Sequence, residues 1–308
     1  MSFLSTKHIY PIGVDMGNDA LKMIQLGKNG RGLSVIAGCS KVLPDNIQPG
    51  SAEWQRWTIE AIRELTAKSK FRGKEVIAAM PPSEVFIEHM KIPKANHGNF
   101  EEAILSKIKR RLGTSETATK HISINEDNYL IIATEREKID RYLAIYEKTH
   151  LQIKSLDVWA SALVNSYVRF FGRRKSDINK TVMLLDIETN YTNFVICRHK
   201  NLLFARLIPI GAKQLATEEM IKKLVLEVTT CRHEFVLIQG RAQIERLIFL
   251  SGSTVEKELC LTVAKQLEIP AQVADCLAAV AATNFQRLGI DRRQAKFSWA
   301  TAFGLSLL

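Results

Sequence analysis

The stretch Ile12-Gly13-Val14-Asp15-Met16-Gly17-Asn18-Asp19-Ala20-Leu21-Lys22-Met23-Ile24 decides the fold, because its plan occurs twice in the chain. It reads as a short apolar strand ending in aspartate, a polar turn and a second strand. Val182-Met183-Leu184-Leu185-Asp186-Ile187-Glu188-Thr189-Asn190-Tyr191-Thr192-Asn193-Phe194-Val195 repeats that plan far along the sequence. Each copy continues into a third strand, Leu33 to Val42 in the first and Leu202 to Ile208 in the second. The first of these turns, Lys28-Asn29-Gly30, carries the Asn-Gly hairpin signal. An apolar-Asp-apolar triplet is common by chance, but two copies that both run on into a third strand form an internal repeat. Hairpins paired in this way in a duplicated α/β protein face each other across a cleft and grip the phosphates of a nucleotide.

Working outward, strands alternate with helices. Ser51 followed by Trp54, Trp57, Ile59, Ile62 and Leu65 predicts a capped amphipathic helix from Ser51 to about Lys70. Val76 to Met80 reads as a strand stopped by Pro81-Pro82, and Val85 to Ile92 as an alternating strand ended by Pro93. Residues 94–150 read as an inserted small unit. It has a basic helix from Phe100 to Leu112, a turn-rich patch from Gly113 to Lys120, strands near His121–Ile124 and Tyr129–Ala133, and a helix from Glu135 to His150. A strand over Gln152–Leu156 and a helix over Val158–Phe171 lead to a boundary at Gly172–Ser176. The second half adds its three strands, a helix from about Ala212 to Gly240 and a strand over Arg246–Leu250. A helix reaching Leu267, a short strand at 269–273 and an apolar helix from Trp299 to Leu308 complete it. The expected fold is α/β, a duplicated ribonuclease H-like architecture, with halves at 1–93 plus 151–175 and at 176–308.

Composition narrows the function. Hydrophobic residues make up 46% of the 308 residues, ordinary for a globular protein. The five cysteines are scattered, with no CxxC spacing, which argues for a reducing compartment and against a zinc cluster or disulfide framework. No apolar run is long enough to span a bilayer, and the N-terminus lacks the apolar core of a signal peptide, so a cytoplasmic protein is expected. The net charge of +11 sits largely in Lys68–Lys74, Lys107–Arg111, Arg173–Lys175 and Arg292-Arg293. Without interleaved aromatic platforms these clusters read as solvated faces first, then as attraction to an anionic membrane or acidic partner, and last as a nucleic-acid surface.

Asp15-x-Gly17-x4-Lys22 has a chemical logic. A carboxylate at a strand end holds magnesium through water, a glycine lets backbone N–H groups approach phosphate oxygens, and a lysine on the next strand points back at them. Asp186 with Thr189, Asn190 and Thr192 does the same from the opposite wall. Ser251-Gly252-Ser253-Thr254, between a strand and a helix, is a resting place for a nucleotide's sugar or α-phosphate. Cys231-Arg232-His233 lacks metal-ligand partners, His89 reads as an ordinary surface or core residue, and neither a GxSxG elbow nor HExxH is present.

These motifs, in this order, resemble the PilM-type proteins of the type IV pilus machinery, members of the actin-like ATPase superfamily that includes the division protein FtsA. The resemblance rests on Gly13–Gly17 with Lys22, Leu185 through Thr192, Ile210-Gly211, Phe249–Gly252 and Ala302–Leu307. The unit at 94–150, leading into Leu156–Leu163, is similar to the small subdomain of FtsA and PilM rather than that of actin. It implies ATP and Mg2+ bound by Asp15, Gly17, Asn18, Lys22, Asp186, Thr189, Asn190, Thr192, Gly252 and Ser253, with Asp15 and Asp186 holding the metal through water. It also implies a cytoplasmic scaffold at the inner face of the inner membrane, peripheral to the bilayer. That scaffold would work among other pilus assembly proteins and clamp the N-terminal tail of a PilN-like membrane protein beside the small unit. The cytoplasmic domain of type II secretion GspL proteins is a related possibility. The alternatives in the same superfold are a sugar- or acetate-type kinase and an FtsA-like filament-forming membrane tether. Three departures weaken the nucleotide site: Asp19 where Ser or Thr is more usual, Glu188 in place of a glycine, and Ser253 in place of a second glycine. A weak or absent ATPase is therefore expected.

Overall fold

A computed structural model describes residues 8–29, 32–92, 100–171, 175–240, 242–252, 254–278, 280, 290 and 297–308. Two five-stranded sheets carry the duplication. In the first, β1 (His8–Met16) pairs antiparallel with β2 (Ala20–Asn29), which pairs with β3 (Gly32–Val42). On its other side β1 is parallel to β4 (Glu75–Met80), and β4 to β8 (Gln152–Val158). The second sheet repeats this plan with β9 (Thr181–Ile187), β10 (Thr192–Arg198), β11 (Asn201–Ile208), β12 (Arg246–Phe249) and β13 (Ala271–Val273). The strand orders β3-β2-β1-β4-β8 and β11-β10-β9-β12-β13 correspond element for element. The repeat read from two aspartate-ended strands is thus a repeat of the whole sheet.

Helices α1 (Ala52–Lys68) and α3 (Arg136–Lys148) cover the outer face of the first sheet, with Trp54, Tyr142 and Tyr146 fully buried against it. Ser51 caps α1 as its sequence predicts, its hydroxyl accepting from the Trp54 amide at 3.1 Å. The second sheet is covered by α6 (Glu218–Gln239) and α7 (Lys257–Leu267) through Leu224, Val228, Phe235, Val263 and Leu267. A short helix, α5 (Lys175–Ile178), precedes β9. Between the sheets lie α4 (Trp159–Phe170), packed on β10 and β11, and α8 (Ala300–Ser306), packed on β1, β2 and β4.

The small unit is a three-stranded sheet in the order β5 (Phe86–Lys91), β7 (Asn128–Glu135), β6 (Thr117–Ser123), covered by α2 (Phe100–Leu112) around Ile104, Ile108 and Ile131.

Several elements differ from the sequence reading. Strand β5 pairs with β7, and α3 packs on α1, so the small unit runs from about β5 to β7 rather than over 94–150. Helix α8 returns to the first sheet, although it follows the second-half strands in sequence. Strand β6 starts at Thr117, inside the patch read as turn-rich, because pairing of Thr117–Ser123 with β7 overrides local turn preference. Helix α6 starts at Glu218, not Ala212. The amides of Ala212 and Lys213 are taken by the carbonyls of Glu188 and Thr189, and Thr217 then supplies the cap. Of the expected boundary at Gly172–Ser176, residues 172–174 lie outside the described residues and Lys175 and Ser176 begin α5; Ser253 and the Arg292-Arg293 pair also lie outside.

Candidate functional site

Register alone builds half of the site. Asp15 and Lys22 are direct cross-strand partners in the β1–β2 ladder, so their side chains stand on one face of the sheet. Asp186 and Asn193 occupy the same relation in β9–β10. The two hairpins meet across the space between the sheets. Lys22, only 2% exposed, reaches Asp15 Oδ2 at 2.9 Å within its own half and Glu188 Oε1 at 2.7 Å in the other. Its third donor goes to the carbonyl of Ser298 at 2.9 Å, on the segment entering α8. Toward the solvent side, Asn190 Nδ2 donates to Asp19 Oδ1, again across the gap between the halves.

The remaining predicted residues fall as follows. Gly17 is buried in the first turn, where a Cβ would lie 3.4 Å from the Tyr191 hydroxyl of the second loop. Asn18 accepts from Ser83 Oγ at 3.3 Å. Asp186 is fully buried and accepts from Asn193 Nδ2 at 3.1 Å. Thr189 is half-buried, its carbonyl accepting from the Lys213 amide. Thr192 donates to the Ile210 carbonyl at 2.7 Å, which makes it part of the β10–β11 framework. Gly252 turns the chain after β12 with φ of 59°, and the neighbouring Ser251 Oγ accepts from the Ile187 amide at 2.7 Å. Asp15, Gly17, Lys22 and Asp186 therefore converge, and Asn18, Thr189 and Asn190 line one cavity beside them.

Sequence reasoning missed the Ser298 carbonyl, Asn193 and Tyr191. Asn193 was recoverable, since it follows Asp186 at the spacing that separates Asp15 from Lys22. Ser298 carries no sequence signal.

Burial dominates the electrostatics. It disfavours a charged Lys22, yet the Asp15 and Glu188 carboxylates outweigh it and hold the ammonium above the ordinary lysine pKa. Burial pushes the Asp186 and Glu188 carboxyls up, and for Glu188 the Lys22 ammonium 2.7 Å away opposes that shift. Tyr191 is pushed up by burial and by the surrounding carboxylates.

The carboxylates of Asp15, Asp186 and Glu188 thus surround one cation whose three N–H donors are already engaged. A triphosphate placed here would meet like charges at contact distances, about 1 to 4 kcal/mol per pair at 4 Å. The adjoining cavity, about 430 Å³, is walled by Asp19, Asp45, Leu43, Pro44 and Ile47, with Lys213 as its cation. The described residues fit a nucleotide with magnesium poorly, despite the retained Asp15, Lys22 and Asp186.

The basic clusters are partly neutralised in place: Lys68 pairs with Glu64, and Lys107 and Arg111 with Glu88. Among the described residues, no group of His, Cys, Asp and Glu is arranged to hold a metal, and no helix is long and apolar enough to cross a membrane.

The duplicated sheets, the facing aspartate hairpins and the small unit define a protein of the actin-like ATPase fold. The sequence profile of the family described as type IV pilus assembly protein PilM matches residues 13–227, well over half of the chain, and the chain belongs to that family. Among solved structures, it is similar to the one described as the PilM-PilN type IV pilus biogenesis complex. There the TM-score is 0.75 at 18% identity, over 97% of this chain and 98% of that one. It is also similar to the ethanolamine utilization protein EutJ from Carboxydothermus hydrogenoformans, with a TM-score of 0.52 at 13% identity, over 97% and 89% of the two chains. At these identities the likeness is one of fold.

Proposed function

We propose that the protein is a scaffold of a type IV pilus assembly platform. It would work at the cytoplasmic face of the inner membrane and hold the N-terminal tail of a PilN-like membrane protein. Family membership supports the machine, and one feature carries the partner. Among the described residues, strands β6 and β8 are both edge strands, each with an unpaired side. Between them runs a groove of about 330 Å³ lined by Ala118, Lys120, Ile132, Ile139, Leu156 and Asp157 among others. An extended peptide entering such a groove adds main-chain hydrogen bonds to a free strand edge, while alternate side chains fill the apolar floor. Lys120 and Asp157 at the rim supply polar partners for a tail of mixed charge.

The ATP and Mg2+ implied by the family resemblance belong to the cleft between the hairpins, away from this groove. The peptide-binding reading does not need them.

The test is a binding titration of synthetic N-terminal tails of bitopic membrane proteins from the same cell against the full chain and an Ala118→Arg variant. Ala118 is half-buried on the edge strand, so the longer side chain fills the groove without entering a core. Saturable binding by one tail, weakened at least about tenfold in the variant (about 1.4 kcal/mol), is the expected outcome. Tails that bind parent and variant equally would remove the groove from consideration.

A further inference from the structure

We infer that the two halves are locked together by the protein's own side chains. The Lys22–Glu188 pair stands where a nucleotide and its magnesium would bridge the two hairpins, so the chain holds its closed form without nucleotide. This stands independently of the groove reading. Lys22 comes from β2 and Glu188 from the loop after β9, and both are at most 2% exposed. The ammonium group has three donors, and all three are used: on the first hairpin, on the second and on the carbonyl of Ser298. One cation therefore ties both halves to the segment that returns the chain to the first sheet.

Around it the gap is closed by further contacts. Asn190 donates to Asp19 across it. The would-be Cβ of Gly17 lies 3.4 Å from the Tyr191 hydroxyl, so the two loops touch at that point, beside the cavity that Asn18, Asp19, Thr189 and Asn190 line. The Ala212 and Lys213 amides hold the second loop down from behind.

For a phosphate to recruit Lys22, Glu188 would have to lose its partner while buried. Its Oε2 already has no partner among the described residues, and Asp186 Oδ1 beside it is in the same state. Stripping one member from a buried pair lowers the folded-to-unfolded ratio roughly 200- to 5,000-fold. A triphosphate would have to overcome that loss before gaining any affinity. Glu188 thus acts as the internal stand-in for the anionic ligand, delivered by the second half to the lysine of the first.

The experiment uses the full chain. Thermal and urea unfolding are followed with and without millimolar ATP and Mg2+, for the parent, Lys22→Met, Glu188→Met and the double variant, with tail binding measured in parallel. The expected results are no ATP-dependent stabilisation of the parent and a roughly 200- to 5,000-fold loss in the folded ratio for each single variant. The double variant should recover most of that loss, because an apolar pair replaces the ionic one. If a single variant does not fold, the parent titration still decides. A rise in the parent's melting temperature with MgATP, saturating as a one-site ligand does, overturns the inference, as does a double variant whose losses simply add. A silent MgATP titration together with failure of every tail to bind overturns the groove reading and leaves the clasp standing.

Discussion

Replacing Gly304 by alanine probes how the C-terminal helix is built into the fold. Helix α8 lies between β1 and α4 with every residue buried. On one side Gly13 of β1 admits it: a Cβ there would sit 2.0 Å from the Ala302 carbonyl oxygen. On the other side Gly304 admits α4, and a Cβ would sit 1.8 Å from the Ala162 oxygen. An ordinary carbon–oxygen contact is roughly 3.3 Å, so Gly304→Ala must part α8 and α4 by about 1.5 Å.

That movement strains the buried bonds from Ser166 Oγ to the Ala300 carbonyl, 2.6 Å, and from Ser306 Oγ to the Pro11 carbonyl, 2.8 Å. Overpacking costs about 1–3 kcal/mol, and a buried polar group left unsatisfied about 1–3 kcal/mol. With both bonds weakened, the sum is about 3–9 kcal/mol, against a typical total stability of about 5–15 kcal/mol. Urea unfolding followed by tryptophan fluorescence measures the loss, with Gly113→Ala as reference. Gly113 has φ of 74° with open space around it, so its substitution costs only about 1–2 kcal/mol of backbone strain. A Gly304→Ala protein within about 1 kcal/mol of that reference would refute the sandwiching of α8.

Other expectations follow from single contacts. His89 Nε2 donates to the Leu203 carbonyl, 2.7 Å away, and the ring stacks on Phe204 with 5.0 Å between ring centroids, joining the small unit to the second sheet. It is faced by Glu88 and Lys107 from its own unit and by Arg206 and Glu234 from the other. Burial holds its pKa below the ordinary histidine value, so the stability it confers is present above about pH 6.5 and declines as pH falls below it. The slope is at most about 1.4 kcal/mol per pH unit, and a His89→Phe variant should flatten it in urea midpoints taken between pH 7 and pH 5. All five cysteines are buried, and burial pushes Cys39 and Cys260 up to about 11. Native protein should react with a thiol reagent far more slowly than unfolded protein, and one fast-reacting thiol would contradict the described cores. Arg141 joins Gly50 and Glu84 at 2.5 and 2.9 Å. Glu84→Ala should therefore cost about 2–4 kcal/mol, read by the same unfolding assay.

The sheets were legible because their signals are local and repeated. Each half opens with three consecutive strands joined by turns, and that order fixes the antiparallel part of its sheet. The parallel strands β4, β8, β12 and β13 were legible as short apolar runs between turn residues. What the sequence hid is what only three dimensions bring together. Nothing in Gly13 tells a phosphate-loop glycine from one that admits a helix, and the helix it admits lies at the far end of the chain. Strand β5 reads as a continuation of the first half because only the pairing partner in β7, beyond α2, assigns it to the small sheet.

Glu188 shows the same limit at the site. In sequence it counts as a departure that adds a repelling charge to a phosphate pocket, an effect on a ligand. In the fold it is the partner of Lys22, an effect on the protein itself, and the sign of its contribution reverses. A carboxylate that repels a nucleotide and one that attracts the opposing lysine are the same atoms. Which role dominates depends on whether the lysine is within reach, and the 2.7 Å contact puts it there. On the inference drawn above, Glu188 both excludes an anionic ligand from the second loop and takes its place against Lys22, so closure of the two halves and occupancy of the groove between β6 and β8 are separate properties of the fold.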